Sequence, residues 1–148
     1  MVILSVMLVA ALNTVGVSRL GQRWNADRVR AMSLASDLMA EILEKSYADP
    51  NEPALFGPEV SEILIGRPAF DDVDDYAGFK DTPPSDRTGK ALAGLSSWSR
   101  QVDVVFVASS DLTKAVALDV GLKRITVTVR RGGQLMATLT AVRTAAAN

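Results

Sequence analysis

Residues Arg19 to Tyr47 read RLGQRWNADRVRAMSLASDLMAEILEKSY, and this stretch decides the fold. It contains no proline and one glycine, so nothing in it stops a helix. Its apolar residues recur every three or four positions, which predicts an amphipathic helix. The side chains expected on the core-facing half are Ala31, Met32, Leu34, Ala35, Leu38, Met39, Ile42 and Leu43.

The other half of the predicted helix is polar and is expected to face solvent. Glu41 and Lys45 stand four residues apart in the order that favours an exposed ion pair. The helix should end before the segment Asp49-Pro50-Asn51-Glu52-Pro53, because proline has no amide hydrogen and restricts the residue before it. The remaining residues expected on the polar half are Arg30, Ser33, Asp37 and Glu44.

The run that precedes this stretch, Met1 to Ser18, reads MVILSVMLVAALNTVGVS and contains no charged side chain. It lies at the short end of the roughly 20 helical residues that span a bilayer core. A cleaved signal peptide would begin with a basic segment, and a buried helix of a soluble core would keep a polar face. The pattern therefore favours a membrane anchor that continues, from about residue 3 to residue 48, into the core-packing helix.

Small and polar side chains interrupt this apolar run. Helices associate in lipid by close contact at small residues and by hydrogen bonds between side chains. The candidate helix-packing residues are Ser5, Ala10, Ala11, Asn13 and Gly16.

The rest of the chain divides into two segments. Residues 49–97 are rich in proline, glycine and aspartate and predict an irregular region, in which residues 60–65 form either a strand or a helical turn. Residues 98–148 alternate apolar and polar side chains, and Arg131-Gly132-Gly133-Gln134 predicts a hairpin turn. With residues 1–18 as anchor and 19–48 as its continuation, the sequence predicts an α+β fold. One long N-terminal helix, hydrophobic in its first half, would pack on about three antiparallel strands.

Composition narrows the function. The chain has 148 residues with no cysteine and no histidine, which excludes disulfides, thiolate or imidazole zinc sites, cysteine nucleophiles and Ser-His-Asp triads. Its 16 basic and 17 acidic side chains nearly balance, so nucleic acid is a disfavoured partner. We therefore expect a protein that is not an enzyme and that carries no cofactor other than a possible cation.

The candidate cation site is the cluster Asp71, Asp72, Asp74 and Asp75. Carboxylate oxygens suit Ca²⁺, but the cluster lacks the spacing of an EF-hand loop. A solvated acidic loop is the simpler interpretation, and a carboxylate pair of the glycosidase kind stays as a third alternative. The last 29 residues carry a charge of +5, either as the complement of another subunit's acidic loop or as an exposed sheet face, through Lys123, Arg124, Arg130, Arg131 and Arg143.

The order of these segments resembles the type IV pilin family and is most similar to the minor pseudopilins of type II secretion systems. Residues 2–19 are similar to the segment that follows a prepilin cleavage site, and residues 36–44 are similar to the second half of the pilin helix. Residues 69–76 and 121–129 resemble a version associated with planctomycete-like bacteria. The resemblance implies a pilin-like fold and a structural subunit that acts by helix packing and head–head contacts.

The same resemblance implies partners and a location. The partners would be other pilin-like subunits and inner-membrane lipid, and the chain would cross the bacterial inner membrane once with its head in the periplasm. Family precursors begin with a basic leader, a glycine at the cleavage point and a glutamate soon after, none of which matches Met1-Val2-Ile3. We therefore expect the true start to lie upstream of Met1. The alternative function is a membrane-tethered extracytoplasmic binding module.

Overall fold

The computed structural model describes the backbone of residues 2–49 and 56–145, and within these ranges the side chains from residue 22 onward except that of residue 61. The chain divides into two compact units, Met1–Arg30 and Ala31–Asn148. The first unit belongs to helix α1, which spans Val2–Leu43. The predicted helix-packing side chains of Ser5, Ala10, Ala11 and Asn13, and the position Gly16, lie outside the described side chains.

The second unit contains the remaining elements. A short helix and two 3₁₀ helices occupy the region that was expected to be irregular, and strands follow to the end of the described chain. The elements are α2 (Val60–Ile65), the 3₁₀ helices Arg67–Ala69 and Asp74–Tyr76, β1 (Lys80–Asp81), β2 (Trp98–Ala108), β3 (Asp111–Ala115), β4 (Leu122–Arg131) and β5 (Gln134–Thr144).

All strand pairs of the sheet are antiparallel. The order across the sheet is β1-β2-β4-β5, and β3 pairs with the C-terminal end of β2. Strands β4 and β5 are joined by Gly132 and Gly133, whose φ angles are 56° and 82°. Glycine adopts positive φ without steric cost, so the predicted hairpin turn is confirmed at these two residues.

The hydrophobic core of the second unit lies between one stripe of α1 and one face of the sheet. Leu34, Leu38 and Ile42 are buried along α1 at the spacing expected of a helix face. Met32 and Leu43, which were also predicted to face the core, are exposed. The other residues of this core are Ala31, Ala35, Met39, Phe70, Val73, Tyr76, Leu95, Trp98, Val102, Val104, Ile125, Val127, Val129 and Ala137.

The predicted fold class is wrong, although the broader α+β description holds. The sheet has five strands instead of about three, because β1 and β3 lie outside the alternating segments from which strands were predicted. Every side chain of β3 is exposed, so no apolar alternation marks it in the sequence. A long hydrophobic helix is also not found where side chains are described, since α1 buries only one stripe there. In the part of the chain that the structure describes, no helix combines the length and the apolar character needed to cross a membrane.

Helix α1 ends at Leu43, earlier than the predicted residue 48. The cause is a backbone contact with the loop that follows α2. The amide of Ser46 donates to the carbonyl of Asp71 at 3.3 Å, and the carbonyl of Ser46 accepts from the amide of Val73 at 3.1 Å. These bonds hold residue 46 in an extended bridge, which a continuing helix would not allow.

Candidate functional site

A buried network of charged side chains joins α1, the first 3₁₀ helix and the strands β1 and β2. At its centre, Glu41 and Arg67 form two parallel hydrogen bonds, Nε to Oε1 at 2.7 Å and Nη2 to Oε2 at 2.6 Å. The hydroxyl of Tyr76 donates to Glu41 Oε1 at 2.8 Å. Bidentate carboxylate–guanidinium pairs are among the strongest hydrogen-bonded contacts in proteins. Glu41 was predicted to be exposed and paired with Lys45, and that prediction is wrong.

The environment of Glu41 favours its ionised form. Burial acts to raise the pKa of this carboxyl, but the hydrogen bonds from Arg67 and Tyr76 outweigh burial and lower it. Burial acts to lower the pKa of Arg67, and the bond and the charge of Glu41 raise it. The pKa of the Tyr76 hydroxyl is raised, first by burial and then by Glu41. The network is therefore a stable ion pair and not a proton donor or acceptor near neutral pH.

A second ion pair extends the network into the sheet. Arg100 on β2 donates to both oxygens of Asp81 on β1, from Nε at 3.1 Å and from Nη2 at 2.5 Å. The carbonyl oxygen of Ser85 accepts from Arg100 Nη2 at 2.6 Å and from Arg67 Nη1 at 2.8 Å. One backbone carbonyl therefore bridges the two guanidinium groups and joins both ion pairs into a single network.

A cavity of about 350 Å³ lies beside this network. Arg87 is at its edge, with a side chain 59% exposed, and forms ion pairs with Glu44 at 2.7 Å and with Glu41 at 3.4 Å. The three arginines in the lining are matched by three carboxylates, so the cavity is polar and formally neutral. The lining residues are Asp37, Ala40, Glu41, Arg67, Ser85, Asp86, Arg87, Leu92 and Arg100.

The predicted acidic cluster is mostly buried, so its interpretation as a solvated loop is wrong. Asp72, Asp74 and Asp75 are each at most 4% exposed, whereas Asp71 is exposed. The carboxylate of Asp75 accepts from the amides of Asp71 and Asp72 at 2.8 and 2.9 Å. Asp72 Oδ1 accepts from the amides of Asp74 and Asp75 at 2.7 and 3.2 Å. These carboxylates hold the turn in place by bonding its own backbone.

Asp74 has a different partner, the ammonium of Lys123 on β4, which donates to its Oδ1. Asp74 Oδ2 accepts from the amide of Gly57 at 3.2 Å. Lys123 also donates to the carbonyl of Tyr47 and lies 4.3 Å from the centre of the Tyr47 ring. Lys123 is therefore a buried cross-link between the sheet and the chain after α1, and its predicted place on an exposed basic face is wrong.

The other members of the basic set are spread over the second unit. Arg130 and Arg131 are exposed at the end of the β4–β5 hairpin. Arg124 donates to the carbonyls of Leu112 and Thr113 on β3, and Arg143 donates to that of Lys45. The set does not form one surface.

A smaller acidic group lies where α2 meets the second 3₁₀ helix. Glu59, Glu62 and Asp75 each place a carboxylate oxygen within 4.8 Å of the other two. Burial, followed by the side chains of Glu59 and Asp75, raises the pKa of Glu62 to about 8. Burial and the charges of Asp74 and Asp75 raise the pKa of Asp72 to about 7. Of the four predicted cation ligands only Asp75 belongs to this group, and Ca²⁺ binding by the four aspartates stays a prediction.

Helix α2 is inverted in polarity: it buries its charged side chain and exposes its apolar ones, the reverse of an ordinary surface helix. Its one charged side chain, Glu62, is buried, and Glu62 Oε2 accepts from the amide of Glu59 at 3.1 Å. Its aliphatic side chains are 65–82% exposed, at Val60, Ile63, Leu64 and Ile65. These four side chains give α2 an apolar outer face.

Sequence reasoning missed Glu41, Arg67, Asp81 and Arg100, which are distant in the chain and carry no motif. These four residues alternate in charge along the chain, but this alternation does not identify a buried network unless the fold is known. No family model matches the chain, and no curated protein or solved structure matches it.

Proposed function

We propose that this chain is a structural subunit of a type II secretion or pilus-like assembly, a minor pseudopilin in function. In this proposal the uncharged run of residues 1–18 inserts in the bacterial inner membrane and the second unit lies in the periplasm. The observation that carries the proposal is the inverted helix α2, whose aliphatic side chains are exposed while its glutamate is buried.

The inverted helix supports contact with a protein partner. Exposing an aliphatic side chain to water costs about 1.5–3 kcal/mol relative to burying it, so four on one short helix are costly unless a partner covers them. The capping box formed by Glu59 and Glu62 fixes the start of α2, and Glu62 lies beside Asp75 of the hydrogen-bonded aspartate turn. A rigid, apolar element on the head favours an assembly role over chemistry.

The buried ion pairs support the same proposal. They connect α1, the loop after α2 and the sheet, and their polar atoms hydrogen-bond within the network. Such networks fix one arrangement of the surrounding segments when all their members are satisfied. A head whose loops are held in this way presents constant surfaces to neighbouring subunits.

The test is to replace Ile63 and Leu64 together by serine and to measure co-purification with the subunits encoded beside this chain. The matched control is Leu118→Ser, because Leu118 is an aliphatic residue 78% exposed outside α2. We expect the double variant to lose co-purification and the control to keep it, with both melting at the wild-type temperature. Retained co-purification by a folded double variant would contradict the proposal.

The second candidate function is a membrane-tethered binding module, which the polar cavity of about 350 Å³ favours. Its lining of guanidinium and carboxylate groups suits a small zwitterionic ligand. Ala40→Phe would fill the cavity without removing a charge. A ligand that raises the melting temperature of the wild type and not of Ala40→Phe would support the binding module.

A further inference from the structure

Strand β5 is the last strand of the sheet, and within residues 2–49 and 56–145 no strand pairs with its outer edge. The strand is 11 residues long, from Gln134 to Thr144. Its outer edge therefore carries a row of backbone donors and acceptors that face away from β4.

The register shows which residues form this outer edge. On the β1 side of β2, the amide of Val102 donates to Phe79 and its carbonyl accepts from Gly78. Hydrogen bonding alternates along antiparallel strands, so the residue pairs Val127–Leu139 and Val129–Ala137 bond β4 to β5. The backbone groups of the residues in between, Thr138 and Thr140 among them, point outward.

This edge has a long stretch without charged residues or proline, two of the features that prevent pairing. From Leu135 to Val142 the strand reads LMATLTAV, with no charged residue and no proline. Natural edge strands are usually interrupted by lysine, proline or a bulge to avoid edge-to-edge association. The register passes from Val129–Ala137 to Arg130–Leu135 and skips Met136, so the extra residue is a bulge on β5 itself, and the outer edge is regular from Ala137 onward.

We infer that β5 pairs antiparallel with β5 of a second copy of this chain, across a two-fold axis at Leu139. This register places Thr138 of each copy opposite Thr140 of the other. The pairing extends two rows of threonines that already cross the sheet, because Thr126 pairs with Thr140 and Thr128 pairs with Thr138. Directly opposed threonines stabilise antiparallel strands.

We choose a second copy as the partner because β5 is complementary to itself when two copies pair antiparallel about Leu139. An axis at Thr138 or at Thr140 would oppose one threonine to itself and the other to Met136 or Val142, so only the Leu139 axis opposes Thr138 to Thr140 in both copies. The residues that pair in the regular segment on either side of this axis carry no charge, so no like charges meet. On the inner face the partly buried Leu139 side chains of the two copies meet and cover each other.

A single cysteine tests this pairing directly, because the chain has none of its own. Residues at a non-hydrogen-bonded antiparallel pair have Cα atoms about 4.5 Å apart, within the range of a disulfide. The full chain with Leu139→Cys, in detergent under mild oxidation, should form a disulfide dimer. The matched control Leu135→Cys, at a side chain 53% exposed, should stay monomeric because residue 135 lies away from the axis and beyond the bulge at Met136, so its two copies do not meet.

A second measurement does not depend on cross-linking. Thr138→Lys with Thr140→Lys adds like charges across the paired edge, at exposed positions outside the core. The control, Gln101→Lys with Ser110→Lys, adds equal charge at exposed positions on β2 and the turn after it. Sedimentation should show a dimer for the wild type and the control and a monomer for the edge variant. Equal cross-linking of both cysteine variants, or a dimeric edge variant, would overturn the inference.

This inference does not rest on the proposed function. It involves neither α2 nor residues 1–18, and its readout is the mass of the purified chain. Failure of the α2 variant to alter co-purification would therefore leave the β5 dimer standing, and absence of the dimer would leave the α2 contact standing.

Discussion

Glu41 and Arg67 are 26 positions apart in the chain and form a bidentate ion pair with both side chains only 5% exposed. The pair joins helix α1 to the segment that follows α2, two parts of the fold that local sequence does not relate. Because both charges are removed from water, each depends mainly on the other for its compensation, with Asp81 at 3.7 Å from Arg67 and Arg87 at 3.4 Å from Glu41.

Glu41→Gln should destabilise the second unit by about 3–5 kcal/mol, because it removes the carboxylate bonded to the buried Arg67 guanidinium and leaves the more distant Asp81, at 3.7 Å, and its pairing with Arg100 to balance the charges. Urea unfolding followed by circular dichroism measures the change. The control is Glu44→Gln, which removes an exposed carboxylate that pairs with exposed Arg87. We expect this control to change stability little, and equal losses for the two variants would contradict the buried-pair argument.

Replacing both partners should cost less than replacing one. Glu41→Leu with Arg67→Met removes both charges and substitutes apolar side chains of similar volume, so no buried charge remains uncompensated. The double variant should unfold at a higher urea concentration than Arg67→Met alone. If the stability lost in the double variant equals the sum of the losses in the two single variants, Glu41 and Arg67 are not coupled.

Lys123→Met should also be strongly destabilising, by about 3–5 kcal/mol, because it leaves the carboxylate of Asp74 buried without its ammonium partner. Adding Asp74→Asn to this variant should recover part of the loss. Arg130→Met on the same strand serves as the control, since Arg130 is exposed. Thermal unfolding of the four proteins tests the prediction, which fails if Lys123→Met and Arg130→Met melt together.

Stability should fall as the pH rises through the range in which Glu62 is protonated only in the folded state. The folded pKa of Glu62 is about 8 against an ordinary value of 4.5, so the folded state binds the extra proton between these limits. By linkage, its contribution is complete below about pH 4.5 and is lost by about pH 8. The raised pKa of Asp72, about 7, acts in the same direction.

Glu62→Gln should therefore flatten this pH dependence. A glutamine oxygen still accepts from the amide of Glu59, and the side chain carries no charge to be buried. The melting temperature of the variant should exceed that of the wild type above pH 8 and approach it near pH 5. Asp103→Asn, at an exposed position on β2, is the control and should keep the wild-type slope.

The second unit should fold without the apolar run. Removing residues 1–16 leaves Ala31–Asn148 and its core intact. We expect a cooperative thermal transition and the circular dichroism of a mixed α/β protein from the shortened chain in water. An unfolded shortened chain, beside a folded full chain in detergent, would show that the core depends on the removed residues.

The elements that the sequence predicts correctly are those marked by local periodicity. The buried stripe through Leu34, Leu38 and Ile42 follows from the helical repeat, and β2 and β4 follow from alternation at Trp98 and Ile125. Gly132 and Gly133 mark the hairpin by their conformational freedom. Each of these signals lies within a few residues of the feature that it predicts.

Two of the errors share one physical cause, the burial of charged side chains by partners distant in the sequence. Glu41 and Lys123 fall on positions that a local reading assigns to solvent, and each is buried only because Arg67 or Asp74 compensates it. The aspartate turn is buried because its carboxylates bond its own amides. Strand β3 was missed for the opposite reason, because it buries no side chain and therefore leaves no pattern.

The carbonyl of Ser85, which both Arg67 and Arg100 contact, has a consequence for how this protein can change by mutation. A carbonyl is present whichever side chain occupies the position, so residue 85 can vary while the two arginines keep their shared acceptor. The hydroxyl of Ser85 adds only a longer contact to Arg67 at 3.2 Å and a bond to Asp81 at 3.0 Å. In divergent copies of this chain, we expect the four charged residues Glu41, Arg67, Asp81 and Arg100 to change together. The residue at position 85, which joins them through its carbonyl, should vary independently of them.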